Sequence, residues 1–282
     1  MICITIQFPL AKVANTIFYN GDKMNQKNFE NIIFETKQDR AFLTINRAPL
    51  NILNISTMEE INEALSSLFG NKEVKVLVIS GSGEKAFSAG VDVVDHTEDK
   101  VEKMLQVFHD VFRNLSKLDQ VTVAALKGLT LGGGCEIAIF CDLIFAADNL
   151  KIGQPEIKLS VLPPIALLIM PRLVGLKKAS ELLLTGKTIE AQEAERIGLV
   201  NKVVSLSSFD SELESFIQPF TELSLVGLKY SKKGINLGLE TNFLEGLDRI
   251  EKIYLEELMT SEDAHEGLKA FMEKRKPLWK NR

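Results

Sequence analysis

Cysteine, proline and positive charge are all scarce in this chain, and each shortage closes off a class of protein. Three cysteines, Cys3, Cys135 and Cys141, with no CxxC spacing, make neither a disulfide framework nor a zinc site. They read as reduced thiols of a cytoplasmic protein. Gly 18 and Pro 8 among 282 residues are too few for a low-complexity or collagen-like chain. Lys+Arg 33 against Asp+Glu 38 leaves a net charge of −5, without the basic excess of a nucleic-acid-binding surface. No apolar run reaches the roughly 20 residues of a membrane span. The apolar opening, Met1 to Asn15, lacks a basic leader and carries Lys12 inside it, so it supports a signal peptide poorly. His96, His109 and His265 lie far apart with no HxxxH spacing, and no metal site is expected. The remaining class is a cored globular protein: 45% hydrophobic and 25% charged, long enough to need no covalent or metal staples.

Patterning divides the chain into three parts. Residues 1–23, ahead of a second methionine at Met24, form an N-terminal extension to which no role is assigned. Residues 24–221 alternate strands and helices. Asn31–Thr36 and Arg40–Asn46 form a hairpin around Lys37-Gln38-Asp39. Ser56-Thr57-Met58-Glu59 has the spacing of a capping box, followed by Met58, Ile61, Leu65 and Leu68 on one helical face. Val74–Ser80 is an unbroken apolar run of strand length, as a strand buried on both faces requires. A helix is expected after Thr97, with Glu98 and Asp99 in its first turn and Val101, Met104, Leu105, Phe108, Phe112 and Leu115 as its stripe. Val121–Leu126, Asp142–Ala147 and Val200–Val204 are again strand-like. From Pro163 helices dominate, and residues 222–282 are helix after helix. The fold class is α/β with a helical C-terminal appendage.

Three short segments carry the chemistry. Gly132-Gly133-Gly134, between a strand and a helix, reads either as a tight turn or as backbone N–H groups brought up to an oxyanion. No Gly-Lys-Ser/Thr follows, which disfavours a nucleotide phosphate loop. Ala89-Gly90-Val91-Asp92 is a second such turn, or else an ordinary loop. Gly153-Gln154-Pro155-Glu156 sets a carboxylate beyond a proline-fixed turn.

Taken together, Phe-Ser-Ala-Gly-Val-Asp (87–92), Gly-Gly-Gly-Cys-Glu (132–136) and Gly-Gln-Pro-Glu (153–156) resemble the crotonase, or enoyl-CoA hydratase/isomerase, superfamily. The resemblance continues through Leu184-Thr185-Gly186, the Ala-Gln-Glu-Ala-Glu-Arg-Ile-Gly-Leu-Val segment after it, and the tail from Glu262-Asp263 to Arg275. It implies a spiral of ββα units, a C-terminal helical trimerisation region, an acyl-CoA thioester substrate and a homotrimer or dimer of trimers. CoA enters only as part of the substrate, and no other cofactor is expected. Motif by motif, the resemblance makes the N–H groups of Val91 and Gly133 the oxyanion donors. It makes Glu136 and Glu156 the catalytic pair, the first activating water and the second delivering a proton. Ala89, Asp92, Pro164, Ile165 and Leu168 fall at the substrate.

One segment departs from the common pattern. Where straight-chain hydratases carry Pro-Gly-x-Gly-Gly-Thr, this chain has Leu162-Pro163-Pro164-Ile165-Ala166-Leu167-Leu168. Pro164 replaces a glycine and has no N–H to donate to a catalytic water. It reads either as variation at a helix start, where proline is well suited, or as a reshaped apolar wall of the acyl pocket. With residues 49–54 and 91–97, this segment resembles the cyclohexa-1,5-diene-1-carbonyl-CoA hydratases of anaerobic benzoyl-CoA degradation. A general straight-chain enoyl-CoA hydratase or isomerase is the alternative. A catalytically silent, RNA-associated relative is disfavoured by the retained glutamates and by the acidic balance. His96 is read either as reaching the acyl pocket or as bonding the following helix start. Trp279-Lys280 is read either as meeting the CoA adenine or phosphate or as a solvated tail.

Overall fold

The computed structural model describes residues 29–282. The extension at 1–23 and Cys3 lie outside the described residues. Two sheets organise the body. The larger runs in the order β1 (Ile32–Lys37), β2 (Arg40–Ile45), β3 (Val76–Gly81), β5 (Val121–Leu126), β7 (Leu143–Ala147) and β10 (Lys202–Val204). Its strands are parallel except for the β1–β2 hairpin, whose turn lies at residues 38–39. The smaller sheet runs β4 (Ala86–Ser88), β6 (Leu129–Leu131), β8 (Lys151–Gly153) and β9 (Thr188–Glu190), with only β9 antiparallel. Helices α1 (Ile55–Ser66), α2 (Val101–Leu115), α3 (Gly133–Phe140), α4 (Pro164–Val174) and, after α5 (Leu176–Thr185), which runs straight on from α4, α6 (Ala191–Arg196) follow successive strands or strand pairs.

The chain therefore winds as a spiral. Each turn lays one strand in the large sheet, one in the small sheet and then a helix: β3–β4–α2, β5–β6–α3, β7–β8–α4. Alternation along the large-sheet strands fills two cores. Val76 and Val78 of β3 and Val121, Val123 and Ala125 of β5 meet Phe209 and Ile217 of α7 (Phe209–Thr221). Leu77, Ile79, Ala124 and Leu126 face the other way, into the cluster that α1, α2 and α3 close with Met58, Ile61, Phe108, Phe112 and Ile137. A strand covered on both faces has no polar side to display, which is why these segments read as continuous apolar runs.

Two expectations need correction. The α1 cap is Asn54, whose side chain accepts from Thr57 N–H at 2.9 Å, so Ser56 and Glu59 lie inside the helix and form no capping box. Glu59 instead pairs with Lys103 of α2 at 2.8 Å. α2 begins at Val101, after the N–H groups of Lys100 and Val101 turn back to Thr97 O, so Glu98 and Asp99 precede the helix and Glu102 is the acid of its first turn. None of the four short strands of the small sheet had an expected residue range, although strands were expected ahead of the turns at residues 89–92 and 132–134.

After α7 come α8 (Leu225–Glu240), α9 (Phe243–Lys252), a π-helical turn over Ile253–Leu258, and α10 (Glu262–Met272). A buried carboxylate locks the chain end onto them. Asp263, 3% exposed, accepts from Ser224 Oγ at 2.5 Å and from the N–H groups of Lys280 and Asn281 at 2.8 and 3.0 Å. Trp279 Nε1 donates to Glu222 O at 2.8 Å, and Lys280 Nζ meets Glu262 at 2.9 Å. Both tail side chains are thus engaged within their own chain. No helix among the described residues is long and apolar enough to cross a membrane.

Candidate active site

The small sheet assembles the site. Its strands β4, β6 and β8 lie side by side and parallel, so the segments leaving their C-terminal ends emerge together. Those segments are residues 89–92, 132–136 and 154–156, the three motifs of the sequence. The carboxyl ends of parallel strands are where open α/β folds place their ligand crevices.

Glycine makes the close approach possible at two positions. Gly132 has φ +53°, and a Cβ there would lie 2.8 Å from Glu156 Oε1. A Cβ on Gly133 would lie 2.7 Å from Val91 Cγ2 and 3.0 Å from the Phe108 ring. Val91, Gly133 and Phe108 are therefore in one another's space, with Glu156 against the adjoining peptide. Gly133 opens α3, and neither its N–H nor that of Val91 donates to any atom among the described residues. Two unspent N–H donors, one at a helix N-terminus, form an electropositive notch.

The carboxylates beside the notch are held differently. Glu136, in the first turn of α3 and 2% exposed, accepts at Oε1 from the N–H groups of Ile165 and Ala166 at 2.8 and 3.1 Å. Burial, and secondarily the neighbouring charge of Glu156, raises its pKa to about 7 against the pull of those hydrogen bonds. Glu156 sits in the 3-10 turn Pro155–Leu159, and burial raises its pKa to about 7 as well. With its amide nitrogen turned toward them, buried Gln154 donates to both Glu156 oxygens at 3.0 and 3.1 Å. Cys135, wholly buried and next to Glu136 in the chain, has its thiol pushed well above its usual pKa by burial and by both carboxylates. It stays protonated and is no nucleophile.

The other expected residues divide. Pro164 is the first residue of α4, and Ile165 packs against the core while its N–H holds Glu136. Leu168 stands on the outer face of α4, 67% exposed. Ala89 spends its N–H on Leu50 O at 2.9 Å. Asp92 caps the 3-10 turn Val93–His96 through Val94 N–H at 3.2 Å and lies 3.7 Å from Arg47. His96 Nδ1 is 3.0 Å from Asp92 O, a local contact on an exposed turn. Gln154, Phe108 and the N–H of Ala166 had no expected role at the site. The signal for Gln154 was its place inside the Gly-Gln-Pro-Glu motif. Among the described residues no group of His, Cys, Asp and Glu side chains is arranged to hold a metal ion.

Residues 35–282 match the family described as Enoyl-CoA hydratase/isomerase. The chain belongs to that family. It is an enzyme of the hydro-lyase type within the crotonase superfamily. It is similar to the short-chain-enoyl-CoA hydratase of Clostridium acetobutylicum, 37% identical over 251 residues, 87% of this chain and 96% of that one. It is also similar to the cyclohexa-1,5-dienecarbonyl-CoA hydratase of Thauera aromatica, 35% identical over 240 residues, 85% and 92% of the two chains. The crystal structure of the enoyl-CoA hydratase of Bacillus anthracis superposes with a TM-score of 0.85 at 30% identity, covering 90% of this chain and all of that one. The spiral body and the C-terminal helices of the family's fold are both present in this chain.

Proposed function

We propose that this enzyme adds water to an α,β-unsaturated acyl-CoA thioester, with cyclohexa-1,5-diene-1-carbonyl-CoA as its preferred substrate and 6-hydroxycyclohex-1-ene-1-carbonyl-CoA as its product. The observation that carries the reading is a pair of carboxyls, Glu136 buried and Glu156 half-buried, both with pKa about 7, beside two unspent N–H donors. Hydration needs a base for water and an acid for carbon, and a pair poised near neutrality supplies both.

The steps balance as follows. The thioester oxygen takes the Val91 and Gly133 N–H groups, whose partial positive charge grows in value as that oxygen becomes an enolate. Glu136, aligned by Ile165 and Ala166, takes a proton from water as the hydroxyl oxygen bonds to the β-carbon. In the cyclic diene the resulting dienolate extends over the second alkene. Glu156 then gives its proton to the far carbon of that alkene, leaving the ring double bond next to the thioester. Proton exchange with solvent restores the pair.

The ring is favoured by the first turn of α4. Pro164 offers no N–H there, and the branched Ile165, packed on the core, makes this turn bulkier than a glycine-rich one that would leave room for an extended chain. The Thauera relative acts on such a ring by name. The second reading is a short-chain enoyl-CoA hydratase, and the Clostridium relative favours it. Steady-state rates with the two substrates side by side decide between them. The value of kcat/KM for the cyclic dienoyl-CoA is expected to exceed that for crotonyl-CoA by roughly a hundredfold or more, since several methylene-sized contacts differ. Equal or reversed preference returns the enzyme to the straight-chain class.

A further inference from the structure

The N–H of Val91 is spent on nothing among the described residues, so something else must aim it. A trans peptide places its C=O and N–H on opposite sides of the plane. On the peptide joining Gly90 to Val91, the carbonyl accepts from Leu53 N–H at 2.9 Å. The N–H of Val91 therefore points away from Leu53, toward the side on which Gly132 and Gly133 lie. A Cβ on Gly90 would be 3.5 Å from Gly133 N, which places the two glycine turns against each other.

Leu53 belongs to no regular strand; its link to Val91 is a single parallel bridge, completed when Asp92 N–H donates to Leu53 O at 2.9 Å. One more rung stiffens it. Asp95 Oδ2 accepts from Ile55 N–H at 3.0 Å, and Asp95 is 8% exposed, with Lys100 3.6 Å away. Asn54 already caps α1 by taking Thr57 N–H, so α1 does not depend on Asp95 for its cap. The Asp95 carboxylate instead ties the start of α1 to the segment that carries Val91. That segment is a stiff 3-10 turn, with Asp95 N–H bonded to Asp92 O at 3.0 Å. A charged acceptor on a helix N-terminus makes a strong, short-range anchor.

We propose that Asp95 is a positioning residue for the oxyanion donor. By holding Ile55, it keeps Leu53 and Gly90 in the register that aims the Val91 N–H at the thioester oxygen. This rests on the reading of Val91 and Gly133 as oxyanion donors.

The test uses the full-length enzyme with Asp95→Ala, Asp95→Asn and Asp95→Glu, and three readouts: kcat, KM and the absorbance of bound cinnamoyl-CoA. Polarisation of the thioester carbonyl shifts that conjugated chromophore to longer wavelength. Asp95→Ala should lower kcat roughly tenfold with KM within about twofold, because a misaimed donor is felt most in the transition state. The same variant should lose much of the red shift. Asp95→Asn keeps an acceptor oxygen for Ile55 and should recover most of both. Asp95→Glu retains the charge but moves the acceptor by one methylene, so it should lose part of kcat and of the shift; it decides the matter should Asp95→Ala not fold. A lower melting temperature with wild-type kcat and red shift, in whichever of these two variants folds, would leave Asp95 a cap only and overturn the proposal. Absence of the red shift in the wild-type enzyme would instead overturn the reading of Val91 and Gly133.

Discussion

The spiral body and the C-terminal helices solve opposite problems. In the body a large apolar core is closed within the chain, and among the polar groups buried with it are two of the site, Glu136 and Gln154. In the C-terminal helices the ion pairs are outside, as in Lys233–Glu257 and Arg249–Glu245, yet large apolar side chains are outside too. Phe243 is 80% exposed and Tyr254 52%, with Leu244, Leu247, Ile250 and Leu255 around them. Dry carboxylates cost stability and give reactivity; wet aromatics cost stability and call for a partner surface. The core of the body closes within one chain, whereas α9 keeps an apolar stripe on its outside.

The sharpest way to break the first half of that comparison is to neutralise the pair. Glu136→Gln or Glu156→Gln should lower kcat by two or more orders of magnitude, the usual yield of positioned general acid–base catalysis. Gln still accepts at Oε1 from Ile165 and Ala166, so the Glu136 variant should fold and bind CoA thioester with little change. Near-normal turnover in either variant, measured by loss of enoyl absorbance, would remove that residue from the mechanism.

The second half is tested by the exposed face. Phe243, Leu247, Ile250 and Tyr254 recur at helical spacing along α9 and the π-helical turn, and we expect a second and third copy of the chain to cover them. Sedimentation of the wild-type protein at micromolar concentration should give a trimer or a dimer of trimers, and Phe243→Asp with Ile250→Asp should give smaller species. A wild-type monomer would contradict this expectation.

These two regions were also unequally legible. The strands of the large sheet stood out because double-sided burial writes them as apolar runs, Val121–Leu126 being the clearest. The small sheet left no such trace. Ala86–Ser88, Leu129–Leu131 and Lys151–Gly153 are three residues each, too short for any period, and they exist because they pair with one another. The motifs leaving them were visible as glycine and proline patterns, but their convergence depended on that pairing. Local rules failed where distant groups intervened. Ser56 and Glu59 have the spacing of a cap, yet Asn54 takes the end of α1 and Asp95, forty residues on, takes the Ile55 N–H. The exposed stripe of the C-terminal helices was legible as amphipathic pattern, because helical period survives whatever covers it.

A smaller effect links reactivity to stability through pH. The pKa of Glu136 is about 7 in the folded enzyme, against 4.5 for an ordinary glutamate. Between those values the unfolded chain sheds a proton that the folded chain keeps, so the folded state loses stability as pH rises from about 4.5 to 7 and stays lower above it. At full extent this is up to about 3 kcal/mol. Glu136→Gln carries no such cost. It should melt several degrees above wild type at pH 8, and the gap should close toward pH 4.5. A gap independent of pH would mean that Glu136 is not the group whose burial opposes ionisation.

The smallest expected effect compares the two regions by one shared device. Asn54 caps α1 by accepting from Thr57 N–H, and Asn242 caps α9 by accepting from Glu245 N–H at 3.1 Å. Replacing either by Ala removes one such bond, a loss of about 1 kcal/mol in a helix that must stay folded. α1 packs Met58, Ile61 and Leu65 into the core, so its cap is coupled to global unfolding, and Asn54→Ala should lower the melting temperature by a few degrees at any protein concentration. α9 buries only Gly246 within its own chain, so its cap has little to hold until a neighbour covers Phe243 and Ile250. Asn242→Ala should therefore act through assembly, with a melting temperature that falls further below wild type as the protein is diluted. Equal, concentration-independent shifts in the two variants would show that α9 is as firmly part of the single chain as α1, and that its exposed side chains need no partner.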